Sequence, residues 1–385
     1  MTVTRPLPDS DPIALLRVAD LRAAEADDAA ALPPHTLMGR AGAAAAHWLS
    51  ERVAGDDRPV WFAVGPGNNG GDALVAAAQL QQLGVATHAW MPVPVKPDDA
   101  QWALGLARTA GVPLSATAPA SLEGYAWVVD GLFGIGLGRA LDGAFAEQAA
   151  RIAAHARSGG RVLALDVPSG LDSDTGRIVG AGVAVAATHT LTFIGAKPGL
   201  YTGDGRDLAG EIHVASLDVA PPAAPAIVLN APARFAAALP ARAFASHKGT
   251  YGSLAVLGGD TAAVQRDRVA AAQTLAARYA GIVVLKGSGT VIAAPDGRVA
   301  INPTGNAALA TGGTGDVLGG LIGALLAQRV APYEAALAGV YLHGLAADTL
   351  TANGTGPAGL TAGELAPMVR TLINRLFYPS PRADT

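Results

Sequence analysis

There is no cysteine among the 385 residues. That absence excludes a disulfide framework, a thiolate zinc site and a cysteine nucleophile. Charge is also scarce: 15% of residues are charged and the formal net charge is -4, which gives no general pull toward nucleic acid or an anionic membrane surface. No apolar run approaches the roughly 20 residues of a membrane-spanning helix. The opening Met1-Thr-Val-Thr-Arg-Pro-Leu-Pro8 lacks the apolar core of a secretory signal. A cytoplasmic location is expected, with no nucleic-acid or membrane partner. What is abundant is apolar residue, half of the chain. At about 150 residues per domain, such a chain builds two or three globular domains.

One further absence lies inside a motif. Val60–Val64 reads as a buried strand running into Gly65-Pro-Gly-Asn-Asn-Gly-Gly-Asp72, and residues 73–83 carry helical periodicity. A strand, glycine loop and helix in that order offer backbone N–H groups and a helix N-terminus to an anion. Gly65-x-Gly67-x-x-Gly70 also matches the dinucleotide fingerprint, which expects an acidic residue about 20 positions on to hold the ribose. Here the second strand, about residues 85–91, runs into Pro92-Val-Pro-Val-Lys96 with no acid. A conventional dehydrogenase is disfavoured, and Asn68, Asn69 and Asp72 call for another explanation.

Amphipathic helices are expected over residues 14–31 and 36–53, and further helices over 98–110 and 145–156. Strands are expected over 127–130, 162–166, 188–193 and 211–215. Strands alternating with helices argue for a mostly parallel sheet covered on both faces, with ligands outside the carboxyl ends of the strands. That rule gathers Asn68, Asn69 and Asp72 after the first strand, Asp130 at the end of another, and Asp166 with Ser169 at the end of a third. Each Asp alone is as readily a helix cap or a turn residue. Together their oxygens suit a hard cation, and spacing does not choose between a monovalent ion and magnesium.

Four stretches in order carry a resemblance: residues 65–72, Val129-Asp-Gly-Leu-Phe-Gly134, Asp166-Val-Pro-Ser-Gly-Leu-Asp172 and Thr192-Phe-Ile-Gly-Ala-Lys-Pro-Gly199. They resemble the signatures of the NAD(P)H-hydrate epimerase family. The resemblance implies a Rossmann-like α/β/α sandwich over residues 1–219 that interconverts the R and S epimers of hydrated NADH and NADPH. It implies K+ bound by Asn69, Asp130 and Ser169. It places the hydrated nucleotide against Asn68, Asn69, Gly70, Gly71 and Asp72, against Gly134, Ile135, Gly136, Leu137, Gly138, Arg139 and Ala140, and against Asp166. Epimerising a hydroxyl-bearing carbon needs a general acid/base beside it and support for a charged intermediate. Asp166 is the candidate acid/base, and Lys197 the candidate for balancing charge or binding phosphate.

After Leu217 the proline- and alanine-rich composition marks a linker, taken as residues 220–240, before a second domain over 241–378. There, Ser246-His-Lys-Gly-Thr-Tyr-Gly252 enters a buried strand, and Ala310-Thr-Gly-Gly-Thr-Gly-Asp316 opens a helix over 317–328. Helices are also expected over 264–279 and 335–350, and strands over 282–286 and 291–294. His343 reads as a packed or helix-surface histidine. A Gly-Thr-Gly-Asp step can hold nucleotide phosphates and place one carboxylate as a base. With His247-Lys-Gly249, Val284-Leu-Lys-Gly-Ser-Gly-Thr290 and Asn302-Pro-Thr-Gly-Asn306, it resembles the ADP-dependent NAD(P)H-hydrate dehydratase family, of ribokinase-like fold. The resemblance puts ADP or ATP, with Mg2+ as an accompanying ion, against Lys286, Gly287, Ser288, Gly289, Thr290 and Gly315. Asp316 would contact the hydrate and deprotonate its hydroxyl.

One departure stands out. After Gly258-Gly-Asp260 the dehydratase family continues through a long central region, whereas this chain passes at once to Thr261-Ala-Ala-Val-Gln-Arg-Asp-Arg268. The family's Pro-His-x-Gly-Glu motif is absent. The expectation is therefore an intact epimerase half and an abbreviated ribokinase-like α/β half that keeps its nucleotide loops but not its full substrate contacts. The alternatives for that half are a non-catalytic nucleotide-binding or oligomerisation module and a small-molecule hydroxyl kinase. A homo-oligomer is expected.

Overall fold

The computed structural model describes residues 3–5, 13–29, 32–220, 225–239 and 261–377. The chain divides into two compact units, one of residues 1–6 and 15–225 and one of residues 7–14 and 226–385.

The first unit is built on an eight-stranded sheet. Its strands are β1 (Val3–Thr4), β2 (Val60–Val64), β3 (Thr87–Trp90), β4 (Leu114–Ser115), β5 (Trp127–Gly131), β6 (Val162–Leu165), β7 (His189–Phe193) and β8 (Glu211–Ala215). The order is β1-β8-β7-β6-β5-β2-β3-β4. Every neighbouring pair is parallel except β1 with β8. From β2 the chain moves outward through β3 and β4, then crosses back to lay β5 on the other side of β2. The β2/β5 boundary is thus the topological switch point, where the loops leaving two adjacent strands part and open a crevice.

Helices α1 (Val18–Ala29), α2 (Thr36–Ser50), α3 (Asn68–Gln82), α4 (Asp98–Thr109), α5 (Gly143–Arg157) and the one-turn α6 (Gly205–Leu208) connect the strands. Trp61 and Ala63 of β2 pack with Ala149 and Ile152 of α5. Val60, Phe62 and Val64 point to the other side and are also fully buried. Alternation along a strand sends these two sets to opposite faces, so both faces of the sheet are covered. This explains why the inner strands read as continuous apolar runs.

Two boundaries differ from the sequence reading in a way that bears on the site. Helix α3 begins at Asn68, so Asn68, Asn69, Gly70, Gly71 and Asp72 form its first turns and are not a loop before it. Helix α1 begins at Val18, where Val18 N–H donates to the Asp174 carboxylate at 2.9 Å. The short edge strands β1 and β4 carry no sequence signal of their own.

The second unit holds a four-stranded sheet of β9 (Ile227–Leu229), β10 (Val283–Leu285), β11 (Val291–Ala293) and β12 (Val299–Ile301), in the order β10-β11-β12-β9. Only the β12/β9 pair is parallel. Residues 220–240, read as linker, therefore contain a paired strand, and within this same unit Ala14 bridges Val228. Helices α7 (Thr261–Arg266), α8 (Arg268–Tyr279), α9 (Thr314–Ala327), α10 (Pro332–Ala352) and α11 (Ala362–Phe377) complete the unit. The single helix expected over 264–279 is two, because Asp267 leaves the helical path and caps α8 by accepting from Ala270 N–H at 2.9 Å. His247-Lys-Gly249 and Gly258-Gly-Asp260 lie outside the described residues. Among the described residues no helix is long and apolar enough to cross a membrane.

Candidate active site

The crevice at the switch point is a cavity of about 580 Å³. Gly67, Asn68, Asn69 and Asp72 line it from the start of α3, Leu132 to Leu137 from the turn after β5, and Asp166 and Lys197 from beyond β6 and β7. Its last wall is one that the sequence reading did not assign: Leu21, Arg22 and Glu25 of α1, Leu37, Met38 and Ala41 of α2, and Asp99 of α4. Of the loop residues expected to hold nucleotide, Gly138, Arg139 and Ala140 are not among those lining the cavity. Arg139 is exposed, 3.8 Å from Asp142.

Close backbone approach shapes the crevice. A Cβ on Gly65 would lie 1.7 Å from the Leu132 carbonyl oxygen, and one on Gly70 would lie 2.0 Å from the Gly65 carbonyl oxygen. A Cβ on Gly71 would meet the Met38 side chain at 2.5 Å. Gly70 and Gly71 thus serve packing, letting the first turn of α3 sit against the strand ends. Gly71 N–H donates to the Gly67 carbonyl at 3.3 Å, whereas the N–H groups of Asn68, Asn69 and Gly70 before it have no intrahelical partner, and Gly67 ahead of them caps none with a side chain.

Asp166 follows β6 in a left-handed conformation, φ 67°, which costs a non-glycine residue energy and aims its side chain into the crevice. Its Oδ1 accepts from Lys197 Nζ at 2.6 Å and its Oδ2 from Ile135 N–H at 3.2 Å. Lys197 is 1% exposed, and its ammonium also donates to Thr192 Oγ1 at 2.7 Å and the Phe193 carbonyl at 2.8 Å. All three ammonium protons are committed within the fold. A Cβ on Gly134 would lie 2.8 Å from Asp166 Oδ2 and 3.5 Å from the Asn69 amide carbon, so this glycine separates the two functional side chains.

Beneath the cavity, Asp130 is fully buried. Ser169 N–H donates to its Oδ2 at 2.8 Å, and its Oδ1 accepts from Ser169 Oγ at 2.6 Å and from Leu132 N–H at 3.2 Å. Burial pushes its carboxyl up to about 6, against the downward pull of those hydrogen bonds. Among the described residues no cationic side chain pairs with it. The Asn69 side chain, at the cavity wall, is buried with both its amide oxygen and nitrogen unpartnered. The Asp130 carboxylate, without a countercharge among the described residues, and the Asn69 amide oxygen are groups that could hold a cation. One carboxylate, one amide and one hydroxyl carry too little charge to favour a divalent ion.

The acidic side chains of the cavity interact. Burial, then the charges of Asp166, Glu25 and Asp99, push the Asp72 carboxyl well above its usual range. Burial and then Asp166 raise that of Glu25, with Lys197 and Arg22 acting the other way.

In the second unit, a Cβ on Gly315 would lie 2.6 Å from Lys286 Nζ, so the Lys286 ammonium sits against the first turn of α9. That helix starts at Thr314, three residues before the sequence reading placed it, and Gly315 and Asp316 are helical. Gly287 (φ 138°) and Gly289 (φ 62°) take backbone conformations that suit glycine, and Thr290 Oγ1 donates to the Gly287 carbonyl at 3.2 Å. Ser288 lies between them and Asp316 is exposed. His343 is packed: its Nε2 lies 2.9 Å from the Thr314 carbonyl, steadying the same helix start.

A mostly parallel sheet whose switch-point cavity is lined by the Asp166–Lys197 pair defines a Rossmann-type α/β domain. Residues 34–199 match the family described as YjeF-related protein N-terminus, and residues 246–369 the family described as NAD(P)H-hydrate dehydratase. The NAD(P)H-hydrate epimerase of Bordetella pertussis is 43% identical over 189 residues, 48% of this chain and 80% of its own length. That of Achromobacter xylosoxidans is 40% identical over 209 residues, 52% of this chain and 94% of its own. The bifunctional NAD(P)H-hydrate repair enzyme Nnr of Escherichia coli is 29% identical over 483 aligned residues, 91% of this chain and 92% of its own. The chain belongs to the NAD(P)H-hydrate epimerase family. The alignment with the bifunctional relative is longer than the 385 residues of this chain, so that relative carries sequence with no counterpart here.

Proposed function

We propose that the chain is a bifunctional repair enzyme for hydrated nicotinamide cofactors. The first unit interconverts the R and S hydrates of NADH and NADPH, and the second uses ADP or ATP to dehydrate the S form back to the reduced cofactor. The observation that carries the first activity is Asp166, held in a left-handed conformation at the cavity floor with its carboxylate fixed by Lys197 at 2.6 Å. The damaged ring belongs in the depth of the cavity, beside Asp166. The pyrophosphate belongs at the rim, with the free N–H groups of α3 and Arg22. Potassium held by Asn69, Asp130 and Ser169 would tie the start of α3 to the turns after β5 and β6, a positioning role.

For the second unit, the reading rests on the Lys286 ammonium beside the N-terminus of α9, with Asp316 in the helix's first turn as the base toward the hydrate hydroxyl. Magnesium accompanies the nucleotide in this reading, and a homo-oligomer is the expected assembly.

Chromatography of the two epimers tests the first activity. The purified chain should equilibrate R-NADH hydrate with the S form, and Asp166→Ala should slow this at least about a hundredfold while the protein still melts cooperatively. An unchanged rate would remove the assignment. Recovery of reduced-nicotinamide absorbance from the S hydrate with ADP or ATP tests the second. Nucleotide binding without recovery would leave the second unit as a binding module.

A further inference from the structure

Inverting a hydroxyl-bearing carbon requires one group that takes a proton and another that gives one, and the pair already described supplies only the first. Both oxygens of Asp166 accept hydrogen bonds, from Lys197 Nζ at 2.6 Å and Ile135 N–H at 3.2 Å. Lys197 has no proton to spare, because all three serve Asp166, Thr192 and Phe193. A proton donor to the ring must therefore come from another wall of the cavity.

We propose that Glu25, on α1, is the general acid of the epimerisation, acting with Asp166 as the base. Glu25 lines the same cavity as Asp166 and Asp72. Its wall is contributed by a helix, separate from the strand ends that carry Asp166. Among the described residues its side chain makes no hydrogen bond, so its proton is not committed elsewhere. The groups that face it are Asp166, Lys197 and Arg22, together with Asp72 and Asp99 on the other walls. Burial and the Asp166 charge favour its protonated form.

This rests on the epimerase reading above. The hydroxyl of the hydrate sits on a carbon bonded to the ring nitrogen. The Glu25 carboxyl gives its proton to that oxygen as the carbon–oxygen bond breaks, and the bond's electrons leave with water. The nitrogen lone pair closes a carbon–nitrogen double bond and the ring becomes cationic. Water adds to the opposite face of that carbon, losing its proton to Asp166. Proton return from Asp166 to Glu25 through solvent restores the start, with no oxidant or reductant consumed.

Steady-state epimerisation by wild type, Glu25→Gln and Glu25→Asp tests this across pH. Glu25→Gln should lower kcat by about a hundredfold with KM within about threefold, and should abolish the fall in kcat on the alkaline side. Glu25→Asp, which keeps a carboxyl, should restore part of kcat. Glu25 is half-buried and the glutamine is isosteric, so a thermal melt matching wild type is expected. If that variant melts early, the Glu25→Asp pH profile decides alone: an unshifted alkaline limb overturns the proposal. A Glu25→Gln enzyme with wild-type kcat and pH profile overturns it, as does a loss confined to KM. A wild-type chain without epimerase activity would sink the reading in the previous subsection, whereas an active wild type beside an unaffected variant sinks this proposal alone.

Discussion

Asp130 shows how a single residue can state a requirement. It is fully buried and accepts three hydrogen bonds, yet among the described residues no positive side chain approaches it. The Asn69 amide, in the first turn of α3, is left without a partner. Burying a carboxylate in this way is costly unless a cation joins it. Thermal melts in potassium chloride and in choline chloride should therefore differ, with potassium raising the midpoint by several degrees. Asp130→Asn should shrink that difference to near zero. An equal potassium shift in the variant would count against Asp130 as a ligand. The residue types were legible in the sequence, because Asp130, Asp166 and Ser169 each end a recognisable strand. Their pairing was not: that Lys197 saturates its donors, or that Glu25 shares the cavity with Asp166, depends on how α1 and the turn after β7 fold back, which no local pattern encodes.

At the scale of elements, the same displacement occurs twice. Both α3 and α9 begin three to five residues before helical periodicity announces them, because Asn68, Asn69, Gly70, Gly71, Gly315 and Asp316 are poor helix formers that read as loop. Helix starts tolerate such residues, since their N–H groups lack intrahelical partners in any case, and glycine lets another chain segment approach. The inner strands of the first sheet were legible to within a residue or two, being apolar runs bounded by turn residues, whereas β12 of the second sheet was not read. The two-residue strands β1 and β4 were not, because their pairing is imposed by the sheet edge. Gly65 joins β2 to α3, and its missing side chain is what allows the turn after β5 to close over it. Gly65→Ala would set a Cβ 1.7 Å from the Leu132 oxygen, so the two turns must part. A loss of about 2 kcal/mol or more is expected, read as a lower denaturant midpoint. A midpoint equal to wild type would mean that the turns separate freely.

For the molecule as a whole, acid should act through two histidines of β7 and β8 packed on Trp48 of α2. His189 and His213 stack there with centroids 6.1 Å apart, edge-on to Trp48. Burial first lowers both below 6.5, against the pull of Glu211 and helped by Arg52 and Arg5. The unfolded chain therefore binds protons that the fold refuses, so this contribution is present above about pH 6.5 and is lost as pH falls toward the folded values. Asp130 works the other way, since its raised carboxyl favours the fold as pH falls through about 6. The histidine part is isolated by comparison: stability measured by urea from about pH 5 to 7.5 should climb less steeply in His213→Asn than in wild type. Identical slopes would remove the histidine pair from the account. The strand within residues 220–240 was not legible in the composition, because β9 takes its partner from Val299–Ile301, 72 residues on. The four carboxylates around the cavity, Glu25, Asp72, Asp99 and Asp166, have one more meaning. A reduced nicotinamide ring is neutral, and so is its hydrate at rest, so neither gains much from this lining. A ring that turns cationic midway through reaction gains a great deal, and the enclosure thereby favours the species in transit over the compounds on either side of it.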